Sequence, residues 1–257
     1  MSIYQHFRQE EKEFIDQVIQ WRTYVENAYA QKLTDFLDPR EQHILQAMIG
    51  THSNVKWELF GGTDDSERKR ALLYPEYLPI EKEDFHITLF QIDYPKKFIS
   101  IEHRHVLGSL MSLGLKRGKF GDILLNGDNV QFFAAEGISE YIQMELRSIG
   151  KAAVTLKKIP LYMAIQEEKC WKEHSITVSS LRVDSVISSM FRISRQKSQL
   201  YVQQGLVKVN WTVISQASFI CEEGDIISVR GGGRGKVLSI DGKTKKEKWR
   251  MIVGIQK

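Results

Sequence analysis

The chain has 257 residues, of which 42% are hydrophobic and 26% are charged, with only 5 prolines. This composition excludes a disordered or low-complexity chain and leaves enough length for two or three domains. No apolar run approaches the roughly 18 residues that a membrane helix needs. The two cysteines, Cys170 and Cys221, form no Cys-x-x-Cys pair, which argues against a zinc ribbon or redox motif, although their spacing leaves a disulfide open. We therefore expect a soluble cytoplasmic protein with no membrane partner.

Residues 1–78 are predicted to form a mainly helical N-terminal domain. Five apolar residues recur at helical spacing and predict one face of a long helix through about Ala30: Phe7, Phe14, Val18, Trp21 and Val25. The pattern covers too few heptads for a coiled coil, so we interpret the stripe as core-facing. A second helix is expected to start with Asp38 as N-cap and Pro39 in the first position, and to end at Gly50.

A short apolar strand is predicted at Val55–Phe60, and it ends in Gly61-Gly62. The following segment, Ser66–Arg70, mixes charges of both signs and is interpreted as the exposed start of a helix. Contact of Arg68–Arg70 with nucleic acid stays open as the alternative interpretation.

The middle of the chain, residues 79–165, alternates between strand-like and helix-like periods. The pattern predicts the order β-α-β-β-α-β, which is the ferredoxin-like arrangement also found in RNA-recognition modules. The predicted elements are a strand at 85–89, a helix at 101–113, strands at 120–125 and 130–133, a helix at 138–149 and a strand at 152–156. Asn126-Gly127 predicts the tight turn of the central hairpin.

Two features of this middle domain bear on RNA binding. The run Lys116–Gly121 is faintly similar to the RNA-recognition consensus, but it precedes the second strand instead of lying on the third. Its basic residues either hold phosphate or form a solvated loop. Phe132 and Phe133 point to opposite faces of the third strand, so at most one of them can be exposed for stacking on a base.

Residues 166–180 are predicted to be a linker. The polar run Gln166–Lys172 has the composition of a hinge, and Ile176–Val178 is a candidate for a short strand.

The C-terminal domain, residues 181–257, is predicted to start with two short helices joined by a tight bend. Four residues of the first helix form one apolar stripe: Val183, Val186, Ile187 and Met190. Ser194 can cap a second helix from about Arg195 to Gln204, and Gly205 supplies the left-handed residue that ends it. After Gly205 the period changes to that of strands, and Asp241-Gly242 is predicted to form the turn after a strand at 236–240.

Four blocks in this domain carry a family resemblance. They are Arg182-x-Asp184 on the first helix, Ser194–Lys197 opening the second, Gly205–Asn210, and Gly224-Asp225. This order resembles an S4 (αL-type) RNA-binding domain. One block departs, because the family often has Asn-Gly at the turn where Asn210 is here followed by Trp211, and glycine tolerates positive φ far better than tryptophan. Trp211 is alternatively an exposed aromatic available for contact.

Charge supports the RNA interpretation independently. Residues 181–257 contain 14 Lys plus Arg and 6 Asp plus Glu, a net charge of +8, while the whole chain carries +4. A localised basic surface binds nucleic acid by releasing counterions from phosphates. The predicted RNA-binding residues are Arg182, Arg195, Lys197, Lys208, Arg230 and Arg234. Asp184 is expected to orient Arg182 or to cap the helix.

The sequence predicts no catalytic residue, no metal site and no cofactor. His103 and His105 are two positions apart on a predicted helix, which is a poor spacing for a shared metal ion. The glycine run Gly231–Lys236 lacks the spacing of a phosphate loop, and Val237 stands where that motif needs Ser or Thr.

The whole chain resembles the YlmH-type S4 proteins of Gram-positive bacteria. Beyond the S4 blocks the resemblance rests on Asp38–Arg40, Phe60–Gly62 with Glu67-Arg68, Leu107–Leu110, Gly114–Arg117 and Phe120–Ile123. It implies an α+β chain with a helical N-terminal domain, an RRM-like middle domain and a C-terminal S4 domain. It also implies ribosome-associated quality control, in which members bind a large ribosomal subunit that still carries peptidyl-tRNA and support tailing of the stalled nascent chain.

On this basis we expect a non-enzymatic protein that binds ribosomal RNA of the large subunit, together with tRNA and other quality-control factors. Two alternatives stay open. One is an RNA-modifying enzyme of the pseudouridine synthase or methyltransferase kind, although no catalytic constellation for it is present. The other is an adaptor of the cell-division machinery, near whose genes members of the family are encoded.

Overall fold

The computed structural model describes residues 11–50, 54–166 and 171–256. Its contacts divide the chain into two compact units, residues 1–168 and 169–257. Phe7 and Cys170 lie outside the described residues, so the helical stripe is traced only from Phe14 onward. Cys221 is a free, buried thiol.

The first unit opens with two helices and three strands. Their bounds are α1 Lys12–Ala28, β1 Lys32–Leu37, α2 Pro39–Ile49, β2 Val55–Phe60 and β3 Lys69–Pro75. The strands form an antiparallel sheet in the order β1-β3-β2. Val18 and Val25 of α1 are buried with α2 and this sheet, which confirms the core-facing stripe.

Local capping chemistry sets the start of α2, as predicted. The Asp38 side chain accepts the Glu41 amide at 2.9 Å, and the Glu41 side chain accepts the Asp38 amide at 2.7 Å. Pro39 occupies the first turn, and Gly50 follows the helix with φ of 70°. The reciprocal bonds satisfy amide groups that a helix start leaves without partners.

The prediction of a mainly helical N-terminal domain missed two of the three strands. In particular, the predicted helix start at Ser66–Arg70 is wrong, because Lys69 begins strand β3. The run Arg70–Leu73 is buried between β1 and β2. A central strand buried on both faces has no alternation of polar and apolar residues, so its period could not be recognised.

The rest of the first unit has the predicted β-α-β-β-α-β order. Its elements are β4 Ile87–Asp93, α3 His103–Ser112, β5 Phe120–Asn126, β6 Asn129–Ala135, α4 Ser139–Glu145, β7 Ser148–Ile149, β8 Ala152–Ala153 and β9 Thr155–Ile159. The main sheet has the antiparallel order β5-β6-β4-β9, and β7 and β8 form a separate small hairpin. The first two strands of the motif flank the third, as the ferredoxin-like arrangement requires.

Both faces of this sheet are buried. On one face Phe90 and Phe132 stack at 5.1 Å in a core that includes Val106 and Leu110 of α3. On the other face Leu89 and Phe133 are completely buried. Phe36 of β1, together with residues 161–165, packs on this second face.

The second unit is one six-stranded antiparallel sheet with a helix pair. Its elements are β10 Lys172–Val178, α5 Val183–Met190, α6 Arg195–Gln203, β11 Val207–Val209, β12 Thr212–Val213, β13 Ile226–Val229, β14 Gly233–Lys243 and β15 Trp249–Gln256. The strand order is β10-β15-β14-β13-β11-β12. The predicted apolar stripe of α5 lies in the core with the inward-facing residues of the sheet.

Two predictions for this unit need correction. The predicted linker 166–180 includes β10, which pairs with β15 along its whole length from Lys172 to Val178. The predicted turn at Asp241-Gly242 is instead part of β14, where the register shifts between Ile240 and Lys243. Gly242, at φ of 91°, accommodates this irregularity in the strand.

Among the residues that the structure describes, no helix is both long and apolar enough to cross a membrane.

Candidate nucleic-acid interface

A buried carboxylate organises the helix pair of the second unit. The Asp184 side chain is 0% exposed, and it accepts hydrogen bonds from Arg182 Nε at 3.1 Å and from Arg182 Nη2 at 3.3 Å. It also accepts Arg195 Nε at 3.3 Å and Gln199 Nε2 at 3.0 Å. Asp184 therefore holds two predicted RNA-binding arginines in fixed positions, which agrees with its expected orienting role.

The charges around Asp184 leave a net positive site. Burial raises the pKa of the carboxyl, but the hydrogen bonds from Gln199, Arg182 and Arg195 outweigh burial and hold that pKa below its ordinary value. One carboxylate faces two guanidinium groups, whose side chains remain 37% and 49% exposed for Arg182 and Arg195. Each guanidinium has five N–H donors, so each can bind the carboxylate and a phosphate oxygen at the same time.

The start of α6 adds to this positive site. Ser194 caps the helix by accepting the Lys197 amide at 3.2 Å, as predicted. Arg195 and Lys197 then lie in the first turn, where the helix dipole disfavours cations and favours anions. The Lys197 ammonium lies 5.6 Å from the centre of the Tyr201 ring. A bound phosphate would relieve the repulsion between these cations and the helix start.

Two further predicted residues share one face of the sheet. Lys208 of β11 is opposite Ser228 of β13, and Ser228 is opposite Arg234 of β14. Residues opposite each other in antiparallel strands project from the same face. The alternating residues Val207 and Val209 are buried, so Lys208 and Arg234 lie on the face away from the core.

Trp211 forms the turn next to this face. Asn210 and Trp211 have φ of 47° and 64°, and they join β11 to β12 as a two-residue turn with positive φ at both positions. The Asn210 side chain donates to Asp225 at 2.8 Å and accepts the Ile226 amide at 2.9 Å. The Arg234 guanidinium lies 5.0 Å from the centre of the Trp211 ring. Trp211 is thus a half-buried support for Arg234 and not a fully exposed aromatic.

The six predicted residues therefore fall into separate groups. Arg182 and Arg195 meet at Asp184, with Lys197 two residues after Arg195 in the same turn, while Lys208 and Arg234 share the outer face of the sheet. Arg230 is exposed in the loop after β13, where its amide donates to Leu206 at 2.9 Å. We call Arg182, Arg195 and Lys197 the helix group, and Lys208 and Arg234 the sheet group.

Three polar residues were missed by the sequence analysis. Gln199 lies four residues after Arg195, a helical spacing that would have placed it beside Asp184. Lys236 follows Arg234 by two residues in β14 and therefore projects from the same face. Arg192 is exposed in the bend between the helices with φ of 53°, and no local pattern predicted that conformation.

The middle domain of the first unit offers no open sheet surface for base stacking. Phe132 and Phe133 are both completely buried, so the option that one of them is exposed is wrong. Gln131 holds residues 161–165 against this face of the sheet by donating to the Met163 carbonyl at 3.2 Å and accepting the Ile165 amide at 2.8 Å. The face on which RNA-recognition modules stack bases is here an internal interface.

The basic run Lys116–Gly121 is likewise used inside the first unit. Arg117 donates to the carbonyls of Phe120 at 2.6 Å and Gly121 at 3.3 Å, and Lys119 binds Asp35 at 2.6 Å. Burial, and then the nearby charge of Arg68, lower the pKa of Arg117 to about 10. These contacts are structural and occupy Arg117 and Lys119, while Lys116 is exposed.

Family models of known proteins match both the middle domain and the second unit. Residues 80–163 match the family model described as "Putative RNA-binding domain in YlmH", and residues 181–227 match the S4 domain model. The chain is 49% identical, over 256 residues, to "Ribosome-associated protein quality control protein P2" of Bacillus subtilis strain 168, covering 100% of this chain and 99% of that protein. It is also similar to the solved structure of "Cell division protein ylmH from Streptococcus pneumoniae", with 34% identity and a TM-score of 0.55, over 64% of this chain and 100% of that one.

Proposed function

Because the chain belongs to the YlmH family of S4-domain proteins, we propose that it is a non-enzymatic RNA-binding factor of the large ribosomal subunit. It binds structured ribosomal RNA, and tRNA, through its C-terminal unit. In this role it assists the tailing of stalled nascent chains during ribosome-associated quality control, with peptidyl-tRNA and other quality-control factors as neighbours.

The observation that carries the proposal is the pair of arginines held by Asp184. The carboxylate fixes one edge of each guanidinium, while Arg182 before α5 and Arg195 at the start of α6 remain partly exposed. Arginines fixed in this way lose little side-chain entropy when they bind phosphate, and they can contact two oxygens each. A rigid pair of this kind suits the shape-based recognition of folded RNA.

The likeness to the Bacillus subtilis protein supports the choice of the ribosome as partner. That relative is named for ribosome-associated quality control, and the similarity extends over the full length of both chains. The converging residues of the C-terminal unit are cations around a carboxylate and not a nucleophile beside a base, which favours binding over catalysis.

The test is co-sedimentation with purified large ribosomal subunits. We expect the double variant Arg182→Ala/Arg195→Ala to lose association with the subunit while it still folds, although less stably, because the buried Asp184 carboxylate retains the hydrogen bond from Gln199 but loses those from both arginines. Circular dichroism and thermal melting check the fold. The matched control is Arg22→Ala/Arg104→Ala, which removes the same charge from exposed ion pairs of the first unit and should leave association unchanged.

Two results would contradict this assignment. Undiminished co-sedimentation of the Arg182/Arg195 variant would remove the helix pair as the binding surface. Wild-type protein that fails to sediment with subunits, or whose cellular partners survive ribonuclease treatment, would favour a protein adaptor of the kind suggested by the cell-division name of the Streptococcus pneumoniae relative.

A further inference from the structure

The hairpin between β14 and β15 carries a concentrated positive charge that the S4 domain match does not include, since that match ends at residue 227. We call residues 243–250 the basic arm. The arm contains five cations and one anion: Lys243, Lys245, Lys246, Lys248 and Arg250, with Glu247. A charge run is most often a solvated surface, so the arm's geometry has to decide its role.

The tip of the arm is ordered by its own hydrogen bonds. The Thr244 amide donates to the Lys248 carbonyl at 2.7 Å, and the Glu247 amide donates to the Thr244 carbonyl at 2.9 Å. The Thr244 hydroxyl oxygen accepts the amides of Lys246 at 3.3 Å and Lys248 at 3.2 Å. The turn closes with Glu247 at φ of 57°. The lysines are therefore mounted on a defined turn.

The single carboxylate of the arm is already paired. Lys243 Nζ binds Glu247 Oε2 at 2.8 Å, and this hydrogen bond and the charge of Lys243 lower the pKa of Glu247. The same ammonium lies 5.6 Å from the centre of the Trp249 ring at the base of the arm. Lys245, Lys246 and Lys248 are exposed, and their ammonium groups have no side-chain partner in the part of the chain that the structure describes.

The position of the arm relates it to the arginine pair. Trp249 is opposite Val178 in the pairing of β15 with β10. Val178 precedes Arg182 by only four residues, and Arg182 is the N-cap residue of α5. The arm therefore extends from the end of the unit at which the Asp184 site is formed.

We propose that the basic arm is a second phosphate-binding element, which contacts the sugar-phosphate backbone of an RNA helix whose neighbouring phosphates are held by Arg182 and Arg195. This inference rests on the proposed function and names an additional element of the same surface. Lysine ammonium groups are mobile point charges without the planar fork of arginine. They suit contacts to phosphates that carry no sequence information.

The test measures the affinity of the full chain for an A-form RNA duplex of arbitrary sequence, as a function of salt concentration. We expect Lys245→Gln/Lys246→Gln/Lys248→Gln to bind about tenfold more weakly at low salt. The plot of log affinity against log salt should become shallower by about 2 to 3, since each lost phosphate contact removes roughly 0.9 from the slope. Lys245→Arg/Lys246→Arg/Lys248→Arg should restore both quantities.

A second variant controls for net charge. Lys96→Gln/Lys97→Gln/Lys151→Gln removes three exposed lysines from the first unit, and it should leave affinity and slope as in the wild type. An arm variant that keeps the wild-type slope would overturn the proposal for the arm while leaving the arginine pair in place. An arginine variant that fails to restore binding would overturn the role of charge.

Two further results separate this inference from the proposed function. If the wild type fails to bind RNA at all, both the proposal for the basic arm and the proposed function are wrong. If poly-glutamate displaces the duplex from the arm as well as unlabelled RNA does at equal charge, the arm serves an acidic protein segment and the RNA assignment is wrong.

Discussion

The two units use arginine in opposite ways. In the first unit, Arg70 is buried and donates to the carbonyls of Thr34 at 2.8 Å and of Phe85 and His86 at 2.9 Å. In the second unit, Arg182 and Arg195 each bind the Asp184 carboxylate with one side of the guanidinium group, and both side chains remain partly exposed.

The difference lies in what satisfies the guanidinium. Three carbonyl groups from two chain segments bind Arg70 inside the fold, and burial lowers its pKa. A single shared carboxylate cannot saturate two arginines, which leaves donors for an external anion. A basic residue in a family motif is thus a binding candidate only where the fold leaves some of its donors unused.

Replacing Arg70 should produce the largest effect. Arg70→Ala removes a donor from the carbonyls of Thr34, Phe85 and His86, the last of which keeps the Glu136 amide, and removes the contact with the Phe36 ring. We expect the free energy of unfolding of the first unit to fall by about 2 to 5 kcal/mol, since each buried carbonyl left without a partner costs about 1 to 3 kcal/mol. Urea denaturation checks this.

Affinity for RNA per folded molecule should remain at the wild-type level in Arg70→Ala. The comparison between units would break if this variant unfolded like the wild type and lost RNA binding instead.

Replacing Asp184 should have an intermediate effect on stability and a clear effect on binding. Asp184→Asn keeps the shape but removes the charge that holds Arg182 and Arg195, and we expect a loss of about 1 to 3 kcal/mol together with weaker RNA binding. The measurement is thermal melting followed by a binding titration.

The pH dependence of melting adds a sign test for Asp184. Its folded pKa lies below the ordinary value, so its ionisation stabilises the fold above the unfolded pKa of roughly 3.9. This stabilisation is lost as pH falls through the lower folded pKa. Asp184→Asn should therefore show a smaller drop in melting temperature than the wild type between pH 5 and 3. A steeper drop in the variant would contradict the assigned role of this carboxylate.

The smallest expected effect is at the turn that supports Arg234. Trp211→Gly supplies the Asn-Gly sequence that such turns favour and relieves the positive φ of 64°. The gain is offset by the lost cation–π contact, so stability should change by less than about 1 kcal/mol. RNA affinity should fall a few-fold because Arg234 loses its support. Equal affinity would show that the ring contributes nothing to the sheet face.

Features set by neighbouring residues were predictable from the sequence. The cap of α2 by Asp38, the cap of α6 by Ser194 and the β-α-β-β-α-β order each depend on spacings within one or two elements. The role of Asp184 followed from its place two residues after Arg182. For the candidate site, the sequence was therefore enough to predict that Asp184 orients Arg182 in the helix group.

Features that depend on distant segments were not predictable. Strand β3 is buried on both faces, so its sequence carries no alternation that marks a strand. Arg70 looked like a surface cation because its carbonyl partners Thr34, Phe85 and His86 come from distant parts of the chain. Likewise, the burial of Phe133 depends on Phe36, which belongs to a different part of the chain.

The closed sheet face of the middle domain has a practical consequence for dividing the protein into fragments. Residues 80–163 match a family model of their own, which invites their isolation as a domain. Such a fragment would lack Phe36, and it would expose Leu89 and Phe133 to water along one side of the sheet. Residues 80–163 alone are too short to cover the apolar surface of their own sheet. The whole first unit is therefore the fragment to prepare.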